Sequence, residues 1–467
     1  MLFMKKTFFY VSILFFSISV VFFHGCKSSD DDSGYVPINI VANADSGEVF
    51  QNAVLEIAVL QNDTNVPVEG EIILTNPLKG TVVLNTNGTP TEILDDFVIY
   101  TPEETATGED TFEYTVCDAS GQSCATGTVT INVLPFTPVN FDIASVPYPT
   151  LSEYNFFEGD LANHEPVYGV LPYEPISTLF TDYAHKKRFV WMPYGVKASY
   201  NGDGNILEFP NSTVLIKTFY YDNVLPSNTT KIIETRLLIK KQDEWIYADY
   251  IWDEEQQEAL LNKTGFGFNV DIEWLQNGET KSTIYRIPSI EECFLCHKRN
   301  YKEKLPIGPK PQNLNSNYTY PEGIKNQLQK WIEMGYLDSV PSTITTVVDW
   351  EDTSNPLDLR VRSYLDINCA HCHVEGGHCA ARDIRLAFNE SSDLENLGVC
   401  VTPESPIVGL DNTTIMVPGD AENSIFYYRV NTTEEELRMP MAGRTVIREE
   451  FAEILKEYIN SLTITCD

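Results

Sequence analysis

The pattern Cys-x-x-Cys-His occurs twice in this chain, as Cys293-Phe294-Leu295-Cys296-His297 and as Cys369-Ala370-His371-Cys372-His373. The chain has ten cysteines in 467 residues, and at that frequency one chance match is expected in roughly a few per thousand chains. The spacing has a chemical reason. Two thiols three positions apart add across the two vinyl groups of one porphyrin edge, and the next residue, His, then stands beneath the iron as its proximal ligand. The pattern predicts two covalently bound c-type haems. One is held by Cys293 and Cys296 with His297 on iron, the other by Cys369 and Cys372 with His373. A thioredoxin-like redox pair would open a helix after a strand in a compact α/β unit, and no such unit surrounds either copy. A zinc site built from both copies would not need His after the second Cys each time.

Covalent haem attachment takes place outside the cytoplasm, and the N-terminus reads accordingly. Lys5 and Lys6 precede an apolar run from Phe8 to Phe23, followed by His24-Gly25-Cys26. A charged start, an apolar core and a small residue before Cys predict a lipoprotein signal over residues 1–26, cut after Gly25 and lipidated on Cys26. Phe23 and His24 stand where such signals usually carry Leu and a small residue; an ordinary secreted protein or an uncleaved anchor is the alternative. Residues 27–35 read as an acidic tether. Its Lys27-Ser28-Ser29-Asp30-Asp31-Asp32 resembles the tag of surface lipoproteins in Bacteroidetes-type bacteria, which implies an outer-membrane or cell-surface location in a Gram-negative cell. Each buried lipid CH₂ contributes about 0.8 kcal/mol, so the anchor on Cys26 is the expected membrane contact.

In an oxidising compartment the other cysteines are free to pair. Cys117 and Cys124 flank the turn signal Asp118-Ala119-Ser120-Gly121, which predicts a disulfide across a hairpin. Cys379, Cys400 and Cys466 remain, an odd number, with one pair expected among them. The net charge of −35 with no basic stripe excludes nucleic acid as a partner. Such acidity suits a solvated surface, or the steering of a basic redox protein that the sequence does not name.

The organisation expected is multidomain. Residues 36–136 alternate strands (53–59, 80–84, 97–101, 111–116 and 127–133) with Asn, Asp, Gly and Pro turns, the pattern of an all-β immunoglobulin-like sandwich. Val59-Leu60-Gln61-Asn62-Asp63 and Gly108-Glu109-Asp110-Thr111-Phe112-Glu113-Tyr114 resemble motifs of bacterial cadherin-like or Ig-like repeats, which implies a spacer or adhesive module. A linker over 135–149 leads to a second β-rich domain, 150–287, with strands at 213–219, 233–239 and 245–252 and a hairpin turn at Asn201–Asn205. The remainder is expected to be an α-helical, cytochrome c-like dihaem region, with a first haem unit over 288–350 and a second over 351–467. Helical spacing of apolar residues recurs at Ile324, Leu328, Trp331 and Ile332, at Leu357, Val361, Tyr364 and Leu365, and from Phe451 to Leu462. Asp420 reads as the N-cap of a helix containing Ile425 and Phe426.

The second unit carries every part of a small class I cytochrome c. Arg438-Met439-Pro440 lies in a loop before the last helix, so Met439 is the expected distal iron ligand, with Met441 its competitor. No Met-Pro loop follows the first motif, and Met334 falls inside a predicted helix. His185 or Met192, the latter in Trp191-Met192-Pro193, could supply the first distal ligand, or that iron is open.

Residues from about 150 to 467 resemble a family of uncharacterised, dihaem c-type cytochromes. The matching stretches are Lys217-Thr218-Phe219, Glu234 to Leu238, Pro306 to Pro309, Asn313 to Asn315, Val417 to Asp420 and Arg438 to Pro440, besides the two haem motifs. The resemblance implies haem binding and electron transfer but no substrate. A Cys just after the last helix is also a feature of this family, which implies a Cys400–Cys466 bridge and leaves Cys379 over. The expected function is an exported, membrane-anchored dihaem cytochrome in electron transfer at the cell envelope, rather than a catalyst. The alternatives are a peroxidase-like dihaem oxidoreductase with an open first iron, or a surface binding lipoprotein with accessory haems.

Overall fold

The computed structural model describes residues 35–299, 303–404, 406–407 and 414–466. The signal expected at 1–26, with Cys26, and residues 27–34 of the tether lie outside the described residues. The chain divides into two compact units, Met1–Phe136 and Thr137–Asp467. Among the described residues no helix is long and apolar enough to cross a membrane.

The first unit is a β-sandwich. Its strands are β1 Asp45–Phe50, β2 Leu55–Ile57, β3 Gly70–Leu74, β4 Gly80–Asn85, β5 Phe97–Pro102, β6 Gly108–Asp118 and β7 Cys124–Leu134. One sheet has the order β1-β7-β6-β3, the other β2-β5-β4, and β1 runs parallel to β7. Period-two alternation sets the faces. Phe112, Tyr114 and Val116 of β6 are buried, whereas Thr111 and Glu113 face out; the inward residues join Val59, Val98, Val129 and Ile131 in one core. Cys117 and Cys124 are register partners at the β6–β7 turn and form a disulfide, as their spacing predicts. The Asp118 carboxylate closes that turn by accepting from the Gln122 and Ser123 N–H groups.

In the second unit two short strands, β8 Phe157–Glu158 and β9 Glu165–Pro166, pair on their own. The main sheet runs in the order β10 Leu171–Pro172, β11 His185–Trp191, β12 Val214–Val224, β13 Thr229–Lys241, β14 Glu244–Trp252, β15 Ala259–Leu261. β16 Phe268–Gln276 joins it through Val224 and Trp274, and β17 Glu279–Ile287 pairs with β16. One face of the sheet buries Phe189, Ile216, Leu237 and Ala248 against Tyr154 and Phe156. On the other face Val190, Leu215 and Leu238 pack with Trp245 and Trp331 at one end, and Phe219 with Tyr285 at the other. Asn201–Asn205 forms a turn, closed by the Ser199–Glu208 bridge, with Asp203 accepting from Tyr200.

The C-terminal part is less helical than the sequence pattern predicts. Its helices are α1 Ile290–His297, α2 Pro311–Leu314, α3 Gln327–Glu333, α4 Leu357–Asn368, α5 Ile425–Val430 and α6 Glu449–Ser461. Long turn-rich segments separate the last three. Two small hairpins, β18 Lys298–Arg299 with β19 Glu303–Lys304 and β20 Asn317–Tyr320 with β21 Gly323–Asn326, fill the earlier part. Two expectations shift. Ile324 is 70% exposed in β21, because the Asn326 side chain accepts from the Gln329 N–H and starts α3 later. Asp420 does not cap α5; its carboxylate accepts from the Asn423 N–H in a preceding turn, and Ser424 holds the N-cap position. Tyr364 of α4 stacks on Phe451 of α6, and a Cys400–Cys466 disulfide secures the chain beyond α6.

The buried Asp110 carboxylate accepts from the Leu78 and Lys79 N–H groups and from the Tyr100 hydroxyl. Asp110→Ala strands three donors, so urea unfolding of the full chain should show the first unit destabilised by about 3 kcal/mol; an unchanged midpoint would remove this carboxylate as a cornerstone of the sandwich.

Candidate functional site

The first motif occupies α1. Ser289 and Glu292 form a reciprocal capping box at its start, and Arg286 pairs with Glu292 at 3.0 Å. Helical spacing brings Cys293, Cys296 and His297 to one side. The His297 ring is held from behind: its Nδ1–H donates to the Leu305 carbonyl at 2.6 Å, and the Leu305 N–H returns a bond to the His297 carbonyl at 2.7 Å. A histidine fixed in this way keeps its lone pair on Nε2, the arrangement of a metal-ligating imidazole. Burial, with Lys217 adding to it, pushes the imidazole down to about 4, so the ring is neutral. Tyr247 stands 5.4 Å from it, ring to ring. Cys293 lies beside Arg236, Asp249 and Glu234, and burial pushes its thiol up to about 11.

The second motif begins where α4 ends. Cys369 is the C-cap, its N–H on the Leu365 carbonyl, and the Cys372 and His373 N–H groups turn back onto the Cys369 carbonyl. The end of α4 is pinned on three sides. Asn368 accepts from the Phe180 N–H and donates to the Tyr364 carbonyl, while Asp366 takes Lys310 at 2.9 Å and the Phe388 N–H at 3.0 Å.

The two motifs meet. The Cys372 sulfur lies 3.9 Å from the Leu295 carbonyl. The Cys296 and Cys372 thiols are hydrogen-bond neighbours, with His371 beside Cys296. Cys379, left over in the sequence reading, joins them: Cys372 holds the Cys296 and Cys379 thiols low, and its own is raised in turn. Among the described residues no three or more His, Cys, Asp or Glu are arranged to hold a metal ion on their own.

A cavity of about 360 Å³ opens at the second motif, within the roughly 300–1,000 Å³ range of cofactor pockets. Cys369, Cys372 and His373 line it together with Met439, and Ile384, Leu386, Phe426 and Val430 make it apolar. Met441 lines it too. The Met439 backbone is fixed at both ends of the residue. Its N–H donates to the Arg429 carbonyl at 2.8 Å, and its carbonyl accepts from the Arg444 guanidinium at 2.9 and 3.0 Å. Arg444 is 4% exposed and also reaches the Arg429, Val430 and Val446 carbonyls. Buried Asp182 clamps the following stretch, accepting from the Thr445 and Val446 N–H groups. Two thiols, an imidazole and a thioether lining one apolar cavity are a donor set that fits a c-type haem.

The two candidates for the first distal position differ in their surroundings, and the cluster that holds Met192 packs against Tyr247, the ring neighbour of His297. His185 is exposed near Asp222, on the sheet face opposite Lys217. Met192 is 1% exposed in the apolar cluster with Trp245 and Trp331. The groups around His297 are Tyr247, Lys217, Cys296 and His371. Arg444 and Asp182 escape the sequence reading, since a buried arginine or aspartate in a loop has no periodic signal. Arg444→Met should speed amide exchange over residues 429–446 about ten-fold or more, the factor carried by about 1.4 kcal/mol of lost hydrogen bonding; exchange as in the wild type would show that the guanidinium does not hold the loop.

Residues 36–132 match the family described as Bacterial Ig domain. No curated protein matches the chain. Among solved structures, a variant of an endo-fucoidan hydrolase from glycoside hydrolase family 107 is similar at 11% identity over 55% of this chain and 30% of its own, with a TM-score of 0.19. A SusE-like surface located polysaccharide binding protein from the Bacteroides thetaiotaomicron heparin utilisation locus is similar at 14% identity over 46% of this chain and 36% of its own, with a TM-score of 0.16. The chain thus spans about a third of the length of these structures. Residues 36–132 are a bacterial Ig-like domain; its Cys117–Cys124 disulfide and the Cys400–Cys466 disulfide beyond it are in keeping with an extracellular protein.

Proposed function

We propose that the chain is a dihaem c-type cytochrome, exported and anchored through Cys26 at the cell envelope, that passes electrons to and from a redox partner protein. The observation that carries this reading is the meeting of the two Cys-x-x-Cys-His motifs beside an apolar cavity that also holds Met439. Covalently held haem supplies one-electron iron chemistry when bound. Cys293 and Cys296 would hold one group and Cys369 and Cys372 the other, with His297 and His373 as proximal ligands and Met439 as the distal ligand of the second. The Leu305 carbonyl orients the His297 ring and sets its tautomer. Arg444 positions Met439 by gripping its carbonyl. The apolar side chains of Ile384, Leu386, Phe426 and Val430, together with His/Met ligation, would favour a raised potential at the second centre. The contact between the motifs supports electron exchange within the chain.

A second reading, a peroxidase-like oxidoreductase with chemistry at an open first iron, is favoured by one observation: His185 is exposed beside Asp222, on the sheet face opposite Lys217, the lysine that acts on His297. Mass spectrometry of the protein purified from a haem-maturing host should show two covalent haems, and one for the Cys293→Ser/Cys296→Ser variant; no covalent haem sinks both readings. Electronic and resonance Raman spectra with carbon monoxide then separate them. Two low-spin centres indifferent to carbon monoxide support electron transfer, whereas one carbon monoxide-binding centre supports the oxidoreductase. Met439→Ala should turn the second centre into one that binds carbon monoxide, and retention of its low-spin spectrum would reassign the distal ligand.

A further inference from the structure

Four cations lie side by side on one face of the main sheet. The register sets Arg188 of β11 opposite Lys217 of β12, and Lys217 opposite Arg236 of β13. Lys186, two residues before Arg188, shares that face. Like charges directly opposite on neighbouring strands destabilise the pair, and buried charges require partners.

The acids nearby do not balance the row. Glu234 is fully buried, but it is already held by the Arg236 guanidinium and by the Tyr285 hydroxyl at 2.6 Å. Asp249, opposite Arg236, has both carboxylate oxygens buried with no donor reaching them and the Glu234 carboxylate alongside. Burial, with Glu234 beside it, pushes its carboxyl well up, toward the neutral form. Glu174 meets Arg188 at 3.2 Å, with its own side chain 54% exposed. Lys217 therefore lies between two arginines, and Glu234 is the acid that acts on it.

The row is open at one end. Lys186 and Arg188 line a polar cavity of about 560 Å³, which Arg448 and the carboxylates of Glu174, Asp222 and Glu351 also border. Further along the row Lys217 acts electrostatically on Cys293 and His297 of the first motif. Cross-strand neighbours stand about 5 Å apart, a spacing that suits two carboxylates better than one compact tetrahedral anion. The planar guanidinium of Arg188 matches a carboxylate fork.

We propose that Lys186, Arg188 and Lys217 form a carboxylate-binding site reaching from this cavity to the first Cys-x-x-Cys-His motif. The carboxylates are the propionates of a haem on Cys293 and Cys296, an arm that rests on the function proposed above, or those of a small soluble dicarboxylate entering by the cavity.

The test uses the full exported chain, with Lys217→Met and Arg188→Met as variants that keep the apolar stem and relieve buried like charge. Succinate is the soluble probe. If propionates are bound, either variant shifts the propionate Raman bands of one haem and lowers the potential of that haem, because loss of a cation favours the ferric state. If a soluble dicarboxylate is bound, succinate raises the unfolding temperature of the wild type and binds either variant at least ten-fold more weakly. Unchanged propionate bands and potentials, with no succinate effect on the wild type, overturn the site. A chain without covalent haem defeats the haem reading alone: succinate binding that depends on Lys217 would then sustain the carboxylate site, and its absence would end it.

Discussion

The Glu234 carboxylate, gripped by Arg236 and by the Tyr285 hydroxyl, is the interaction on which the second unit depends. It ties the middle of the main sheet to β17, and β17 leads directly into Ser289 and α1. The first motif is delivered onto the face of the sheet at β13 and β14 as a consequence. A fully buried carboxylate is tolerated only when its hydrogen bonds are met. Here one guanidinium and one phenol meet them. Loss of either would leave a charge in a desolvated space and loosen the strand that carries α1.

A similar economy governs the second motif. Its cysteines and histidine come from the end of one helix, and Met439 comes from a loop whose shape is dictated by side chains remote in sequence. Arg444 satisfies carbonyls of Arg429, Val430, Met439 and Val446, and Asp182, from the segment before β11, caps the stretch beyond. The loop is held in shape by these hydrogen bonds to its backbone groups. The sheet and the second motif are in this way parts of one unit, although their segments read as separate domains.

Much of the chain was legible before its structure. Alternation in β6 and β7, with a turn between paired cysteines, identifies a sandwich hairpin, because strand period and turn chemistry are local properties. α4 and α6 are equally plain, since each carries an apolar stripe of the right period. The start of α3 and the cap of α5 were misplaced, as Asn326 and Ser424 compete with neighbours whose spacing looks as good. The stretch from residue 370 to 404 carries no helical or strand period and folds into turns that only tertiary contacts specify.

By itself the sequence determined the spacing of the two motifs, the Ig-like module and the Cys117–Cys124 bridge, because each is written in residues close together along the chain. The tertiary structure alone decided that the motifs touch, that Cys379 joins Cys296 and Cys372, that His185 is exposed on the sheet face opposite Lys217, and that Arg188, Lys217 and Arg236 align. Those outcomes depend on strand register and on packing between residues tens to hundreds of positions apart, which no local spacing encodes.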